Sequence, residues 1–180
     1  MLLHFDRIQS GSNRYLPLLM PLYADSFPLE ERRLPNDLLW MLNEPKMYFS
    51  AVLGEDQVEG LVVYWKFPGF LYLEHLAVLP ARRRNGIGAG ILNQLLKEGV
   101  PLLLEVEIPF DESSTKRVDF YHRCGFCALP VYYHQPPYRK GESVVPMMLF
   151  SNKSDWDEEV LGKSVALFQR TVYYSEDKGR

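Results

Sequence analysis

Residues Arg82-Arg-Arg-Asn-Gly-Ile-Gly-Ala-Gly90 put three cations, one amide and three glycines into nine positions, a composition suited to holding an anion. Glycine lets a backbone approach a ligand closely, and the first N–H groups of a helix have no carbonyl partner within it. Those amides sit at the positive end of the helix macrodipole, so a helix opening at Gly86 would accept a phosphate. Other reactive side chains are more dispersed. Cys124-Gly-Phe-Cys127 is a single Cys-x-x-Cys with no second ligand pair near it, and it reads as two core thiols rather than metal or redox chemistry. The four histidines, at 4, 75, 122 and 134, have no zinc-like spacing, so no metal is expected; His75 is a structural strand residue or a base.

The elements around the loop give it a position. Phe70–Val78 is strand-like and is closed by Pro80, while Ile87, Ile91, Leu92, Leu95 and Leu96 form one helical face ended by Gly99. Upstream, Leu2–Ile8 reads as a strand, Gly11–Asp25 and Pro35–Asn43 as helices, and Tyr48–Leu53 and Val58–Phe67 as strands joined at Gly54-Glu-Asp-Gln57. With Phe70–Val78 these make an antiparallel meander. Downstream, Pro101–Ile108 is a buried strand in which Glu105 faces away from Leu104 and Val106, with Glu107 on its own side. A helix from Thr115 to Cys124 with Ser114 as N-cap, strands Phe126–Tyr133 and Ser143–Phe150 around the loop His134–Gly141, and a closing helix Ser154–Tyr173 complete the order. In the closing helix Trp156, Val160, Leu161, Val165, Phe168 and Val172 form an apolar stripe, which packs on the domain or makes a dimer contact. The fold class is α/β (α+β).

Bulk properties narrow the setting. The chain has 180 residues, 47% hydrophobic and 24% charged, which suits one soluble globular domain. A net charge of −3 argues against a general nucleic-acid binder and makes the three arginines a local concentration. Met1-Leu-Leu-His-Phe meets Asp6 and Arg7 too soon for a signal peptide, and no run is long enough to span a membrane. Two cysteines offer no disulfide framework, so a cytoplasmic location is expected.

Two pyrophosphate readings fit the loop. A dinucleotide-binding fold wants Gly-x-Gly-x-x-Gly directly after its first strand and an acid about twenty positions on, a place Glu105 could fill. The glycines here run Gly-x-Gly-x-Gly, Pro80-Ala-Arg-Arg-Arg84 intervenes, and a meander precedes them. The segment Val78-Leu-Pro-Ala-Arg-Arg-Arg-Asn-Gly-Ile-Gly-Ala89 instead resembles the coenzyme A motif of the Gcn5-related N-acetyltransferases (GNAT), Arg/Gln-x-x-Gly-x-Gly/Ala, with Arg83, Gly86 and Gly88 in the fixed positions. Phe120-Tyr-His-Arg-Cys-Gly-Phe126 resembles the same family's Phe-Tyr-x-x-x-Gly-Phe segment. The resemblance covers roughly residues 48–150.

That resemblance implies a mixed central sheet with two splayed parallel strands, flanking helices, and an acyltransferase domain over residues 1–150, leaving 151–180 as a helical extension. It implies acetyl-CoA as co-substrate: backbone at Leu76, Ala77 and Val78 for the pantetheine arm, and Arg83, Arg84, Asn85, Gly86, Ile87, Gly88 and Ala89 for the phosphates. Ser114 stands where the family often has an asparagine that bonds pantetheine or the leaving group. Tyr121 takes the place of the acid that meets the departing thiolate, or else is a buried aromatic beside Val118 and Cys124. Leu104-Glu-Val106 resembles the strand that supplies a glutamate in ribosomal-protein N-terminal acetyltransferases, making Glu105 a candidate base, with Glu74 a second.

The implied activity is direct acetyl transfer to a primary amine in a ternary complex. The acceptor would be a small molecule or peptide, with no nucleic acid or membrane involved, and the protein a monomer or homodimer. The alternative is an acyl-CoA-binding sensor that retains the fold without turnover.

Overall fold

Alternating and continuous apolar runs in the first half of the chain fold as a four-stranded antiparallel meander: β1 His4–Arg7, β2 Met47–Leu53, β3 Val58–Phe67 and β4 Phe70–Val78. The computed structural model describes residues 2–55 and 57–174, and these fall into two compact units, Met1–Leu102 and Leu103–Arg180. In the first unit β3 is buried along nearly its whole length, as its unbroken Leu61-Val-Val-Tyr-Trp65 run requires. Gly60 has a packing reason to lack a side chain, since a Cβ there would lie 2.2 Å from the Ala77 carbonyl oxygen.

Helix α1, Leu16–Ser26, buries Leu16, Leu19, Leu22 and Tyr23. It begins later than the sequence pattern predicts, because Asn13 forms a turn first: its side-chain oxygen accepts from the Tyr15 amide at 2.9 Å. Helix α2, Pro35–Met41, has proline in its first turn, where a missing N–H costs nothing. Helix α3, Ile87–Leu96, buries Ile87, Ile91, Leu92 and Leu95, the face expected from the spacing.

The second unit has β5 Leu102–Glu107 beginning at its boundary, α4 Glu112–Arg123, β6 Cys127–Ala128, β7 Tyr133–Gln135, β8 Val145–Ser151 and α5 Glu158–Val172. Strand β8 pairs antiparallel with β5 along one edge and with the short β6 and β7 along the other. The single strand expected at Phe126–Tyr133 is thus two pieces interrupted by Pro130, and the expected loop at His134 is partly strand. Helix α4 starts earlier than its pattern suggests. Asp111 is the N-cap, its carboxylate accepting from the Ser114 amide at 2.7 Å, while the Ser114 hydroxyl accepts from the Asp111 amide at 3.0 Å. This reciprocal capping box makes Ser114 the third residue of the helix rather than its cap. Helix α5 is capped by Asp157 and buries Leu161, Ser164, Phe168 and Val172, leaving Val160 exposed, so its packed face is rotated from the expected stripe. Among the described residues no helix is long and apolar enough to cross a membrane.

Candidate active site

The arginine–glycine loop forms a strained, exposed entry to α3. Pro80–Arg82 make one 3₁₀ turn, Arg83 is extended, and Arg84 has φ +67°, the one non-glycine residue with positive φ among the described residues. Gly86, with φ +75°, is the N-cap of α3, and Arg83 through Gly86 are exposed. Left-handed residues leading into a helix turn successive N–H groups toward one concavity, a recurrent anion site. The three arginines are not equivalent. Arg82 Nε lies 3.6 Å from Glu59 Oε2, and Arg83 Nε donates to the Val78 carbonyl at 3.2 Å, so both brace the loop against β3 and β4. Arg84 projects from the left-handed position. Leu76, Ala77 and Val78 close β4 opposite Val62, Leu61 and Gly60.

Glu74 lies at a β-bulge: Val63 faces His75 and Tyr64 faces Leu73, so Glu74 has no residue opposite it. Its carboxylate is buried and holds two donors, the Arg33 guanidinium and Trp65 Nε1 at 2.6 Å. His75 is also buried, with Nε2 donating to the Glu31 carbonyl at 2.9 Å and its ring edge-on to Tyr23. Burial pushes its pKa down to about 3, so it is neutral at ordinary pH and its 3.8 Å approach to Glu74 is not an ion pair. Of the two roles open to His75, this environment suits the structural one.

The second unit carries the other candidate residues. Along β5 and β8, Glu105 pairs with Leu149 and Leu104 with Phe150. Alternation therefore puts Glu105 and Leu149 on one face, Leu104 and Phe150 on the other. Tyr121, on α4, packs on the second face, with ring centroids 6.3 Å from Phe150 and 6.2 Å from Phe126. Burial raises its phenol to about 12, so it is fully protonated at neutral pH. Glu105, partly exposed on the opposite face, accepts from two phenols: Tyr133 at Oε1 and Tyr173 at Oε2, the latter at 2.7 Å. Glu107 shares that face and pairs with Arg117.

Nothing in the sequence spacing joins Tyr133 or Tyr173 to Glu105; their signal is that of aromatic residues, one opening β7 and one capping the C-terminus of α5. Cys127 Sγ donates to the Ser151 carbonyl at 3.5 Å, and Cys124 is partly buried with a raised thiol pKa, a packing environment for both. Among the described residues no group of three or more metal-ligating side chains gathers.

Comparison with known proteins gives this geometry a family. The acetyltransferase (GNAT) family matches residues 14–126. A solved GNAT-family structure from Bacteroides thetaiotaomicron is 30% identical, covers 97% of this chain and 99% of its own, and superposes with a TM-score of 0.84. The Bacillus subtilis (strain 168) protein YjbC is 26% identical over 160 residues, spanning 86% of this chain and 81% of its own length. An aminoglycoside 6'-N-acetyltransferase solved with coenzyme A shares the fold at 20% identity and a TM-score of 0.58, covering 87% of this chain and all of its own. The loop, the meander before it and the Tyr121 helix after it are thus parts of one known architecture: the chain belongs to the acetyltransferase (GNAT) family and is an acetyltransferase.

Proposed function

We propose that this acetyltransferase binds acetyl-CoA through the Arg83–Ala89 loop and moves the acetyl group directly to a primary amine in a ternary complex. One observation carries the cofactor reading: an exposed turn with left-handed Arg84 and Gly86 opens straight into α3, whose leading amides have no carbonyl partner in the helix. A diphosphate fits such a turn, and Asn85, Ile87, Gly88 and Ala89 bring their backbone to it. Arg84 adds a cation, while Leu76, Ala77 and Val78 offer backbone to the pantetheine arm. The coenzyme A complexes in the family support the same assignment.

In this reading Glu105 and Tyr121 serve the two ends of the reaction. An alkylamine of pKa about 10.4 attacks only after losing a proton, and Glu105 receives it directly or through water. The nitrogen bonds to the acyl carbon, the C–S bond breaks, and its electron pair goes to sulfur. Tyr121 meets that developing thiolate as a hydrogen-bond donor. Complete proton transfer from a phenol near 12 to a thiolate near 8.5 is uphill by roughly 5 kcal/mol, so the thiolate's final proton comes from solvent. Opposite faces of β5 suit this division, since a carbonyl level with that strand would meet carboxylate and phenol from two sides.

We assign Glu74 to bracing β4 through Arg33 rather than to the base, and Ser114 to capping α4. Residues 1–150 form the acyltransferase portion and 151–180 its extension, helical over Glu158–Val172 and with 175–180 outside the described residues, in a cytoplasmic protein acting on a small-molecule or peptide amine as a monomer or homodimer. The test is thiol release from acetyl-CoA with spermidine, kanamycin, free amino acids and an alanyl tripeptide. Release with any of them supports the transferase; coenzyme A binding without release across the panel supports the acyl-CoA sensor. Failure to bind coenzyme A removes both.

A further inference from the structure

We propose that Tyr133 and Tyr173 are positioning residues that hold Glu105 ionised and aimed, which makes the last turn of α5 part of the catalytic apparatus. The inference rests on Glu105 being the base.

A carboxylate on a flexible three-bond stem would ordinarily sample several rotamers. Here each oxygen carries a phenol donor, one from β7 and one from the end of α5, so the carboxyl plane is fixed from two directions. The phenols are held in turn. Tyr133 packs on Phe168, with centroids 6.3 Å apart, and Gln169 hydrogen-bonds its hydroxyl. The Tyr173 ring lies 4.9 Å from Tyr138 and is nearly inaccessible. Gln169 Nε2 also donates to the His134 carbonyl at 3.3 Å, tying α5 to β7. Helix α5 is thus anchored by polar contacts at the carboxylate as well as by its apolar stripe, and packing alone would not select hydroxyls at both oxygens.

The electrostatic surroundings favour the donor role of the phenols. Burial and the Glu105 carboxylate both raise the Tyr133 pKa, so Tyr133 stays protonated and donates. Glu107 is the like charge on the same face and is paired with Arg117. Among the described residues, strand β8 presents Leu149 and Met147 there, α5 presents Phe168 and Gln169 beside Tyr173, Tyr138 packs near Tyr173, and Tyr174 acts on Tyr133.

The experiment is a carbon-13 NMR titration of glutamate-labelled protein, with the Glu105 carboxyl signal identified by its loss in Glu105→Gln. Tyr133→Phe and Tyr173→Phe retain the rings against Phe168 and Tyr138, and thermal melts verify folding. Removing one donor to the ionised form favours protonation, so each variant is expected to raise the Glu105 midpoint by about one pH unit. The acid limb of kcat/KM for the best amine of the panel moves up with it, coenzyme A affinity by calorimetry is unchanged, and neither phenylalanine change has a further effect in the Glu105→Gln background. Midpoints unmoved in both variants, or a rate loss that persists equally in that background, overturn the proposal. A wild-type rate in Glu105→Gln removes the base reading itself, whereas an impaired Glu105→Gln with unmoved midpoints removes only the phenol pair.

Discussion

Glu105 and Tyr121 lie on opposite faces of the β5–β8 pair, Glu105 beside Leu149 and bonded from the end of α5, and Tyr121 reaching from α4 to pack on Phe150. Strand alternation fixes the side of Glu105 and the packing of α4 on Phe150 fixes that of Tyr121: an even shift along β5 preserves the separation, and an odd shift would turn the carboxylate toward the aromatic rings. The relationship divides the proposed chemistry into an amine side and a sulfur side, and it suggests separate tests for each.

Tyr121→Phe removes a hydroxyl and leaves the ring that packs on Phe126 and Phe150. Turnover is expected to fall on the order of 10²-fold, the lower range for loss of one preorganised donor to developing charge, with little change in coenzyme A affinity. Steady-state kinetics beside calorimetry checks this, and an unaltered kcat would remove Tyr121 from the mechanism.

The loop is tested by Gly86→Val. No atom lies within 4 Å of a Cβ placed there, so the cost is conformational: a β-branched residue held at φ +75°. Distortion of about 1–2 kcal/mol per left-handed residue should appear as roughly tenfold weaker coenzyme A binding, with only a small change in melting temperature. Undiminished affinity would defeat the phosphate assignment.

Arg33→Met is expected to cost about 3–5 kcal/mol by urea denaturation, because it leaves the buried Glu74 carboxylate without its guanidinium. The double variant Arg33→Met/Glu74→Met should recover most of that loss. If the double variant is as unstable as the single one, the pair is not the source of the cost.

His75 makes stability depend on pH in a stated direction. Its pKa is about 3 when folded against 6.5 unfolded, so between these values the unfolded chain binds the extra proton. The contribution is fully present above pH 6.5 and is lost as pH falls toward 3, with a slope of up to about 1.4 kcal/mol per pH unit. Denaturant midpoints measured through this window should show the slope in the native protein and a shallower one in His75→Phe. Equal slopes would place the titrating group elsewhere.

Much of this was legible in the chain because the signals are local. The face Ile87, Ile91, Leu92, Leu95 needs only helical spacing, the meander needs only apolar runs and turns, and Gly86 announces its own conformation. Boundaries failed where side chains compete with the pattern: the Asn13 turn delays α1, and the Asp111–Ser114 capping box advances α4. Both are hydrogen bonds over two or three residues that hydrophobic periodicity does not register.

By itself, the sequence determined the glycine turn into α3, the family and which side chains are candidates for the site, since each depends on neighbours a few positions apart. Tertiary structure alone decided how those side chains are engaged. Glu74 and Arg33 are 41 residues apart and meet in a buried pair at a bulge, while Tyr173 reaches Glu105 across 68 residues. A carboxylate on a strand looks the same in either setting until the fold supplies its partners: a guanidinium in one, two phenols in the other.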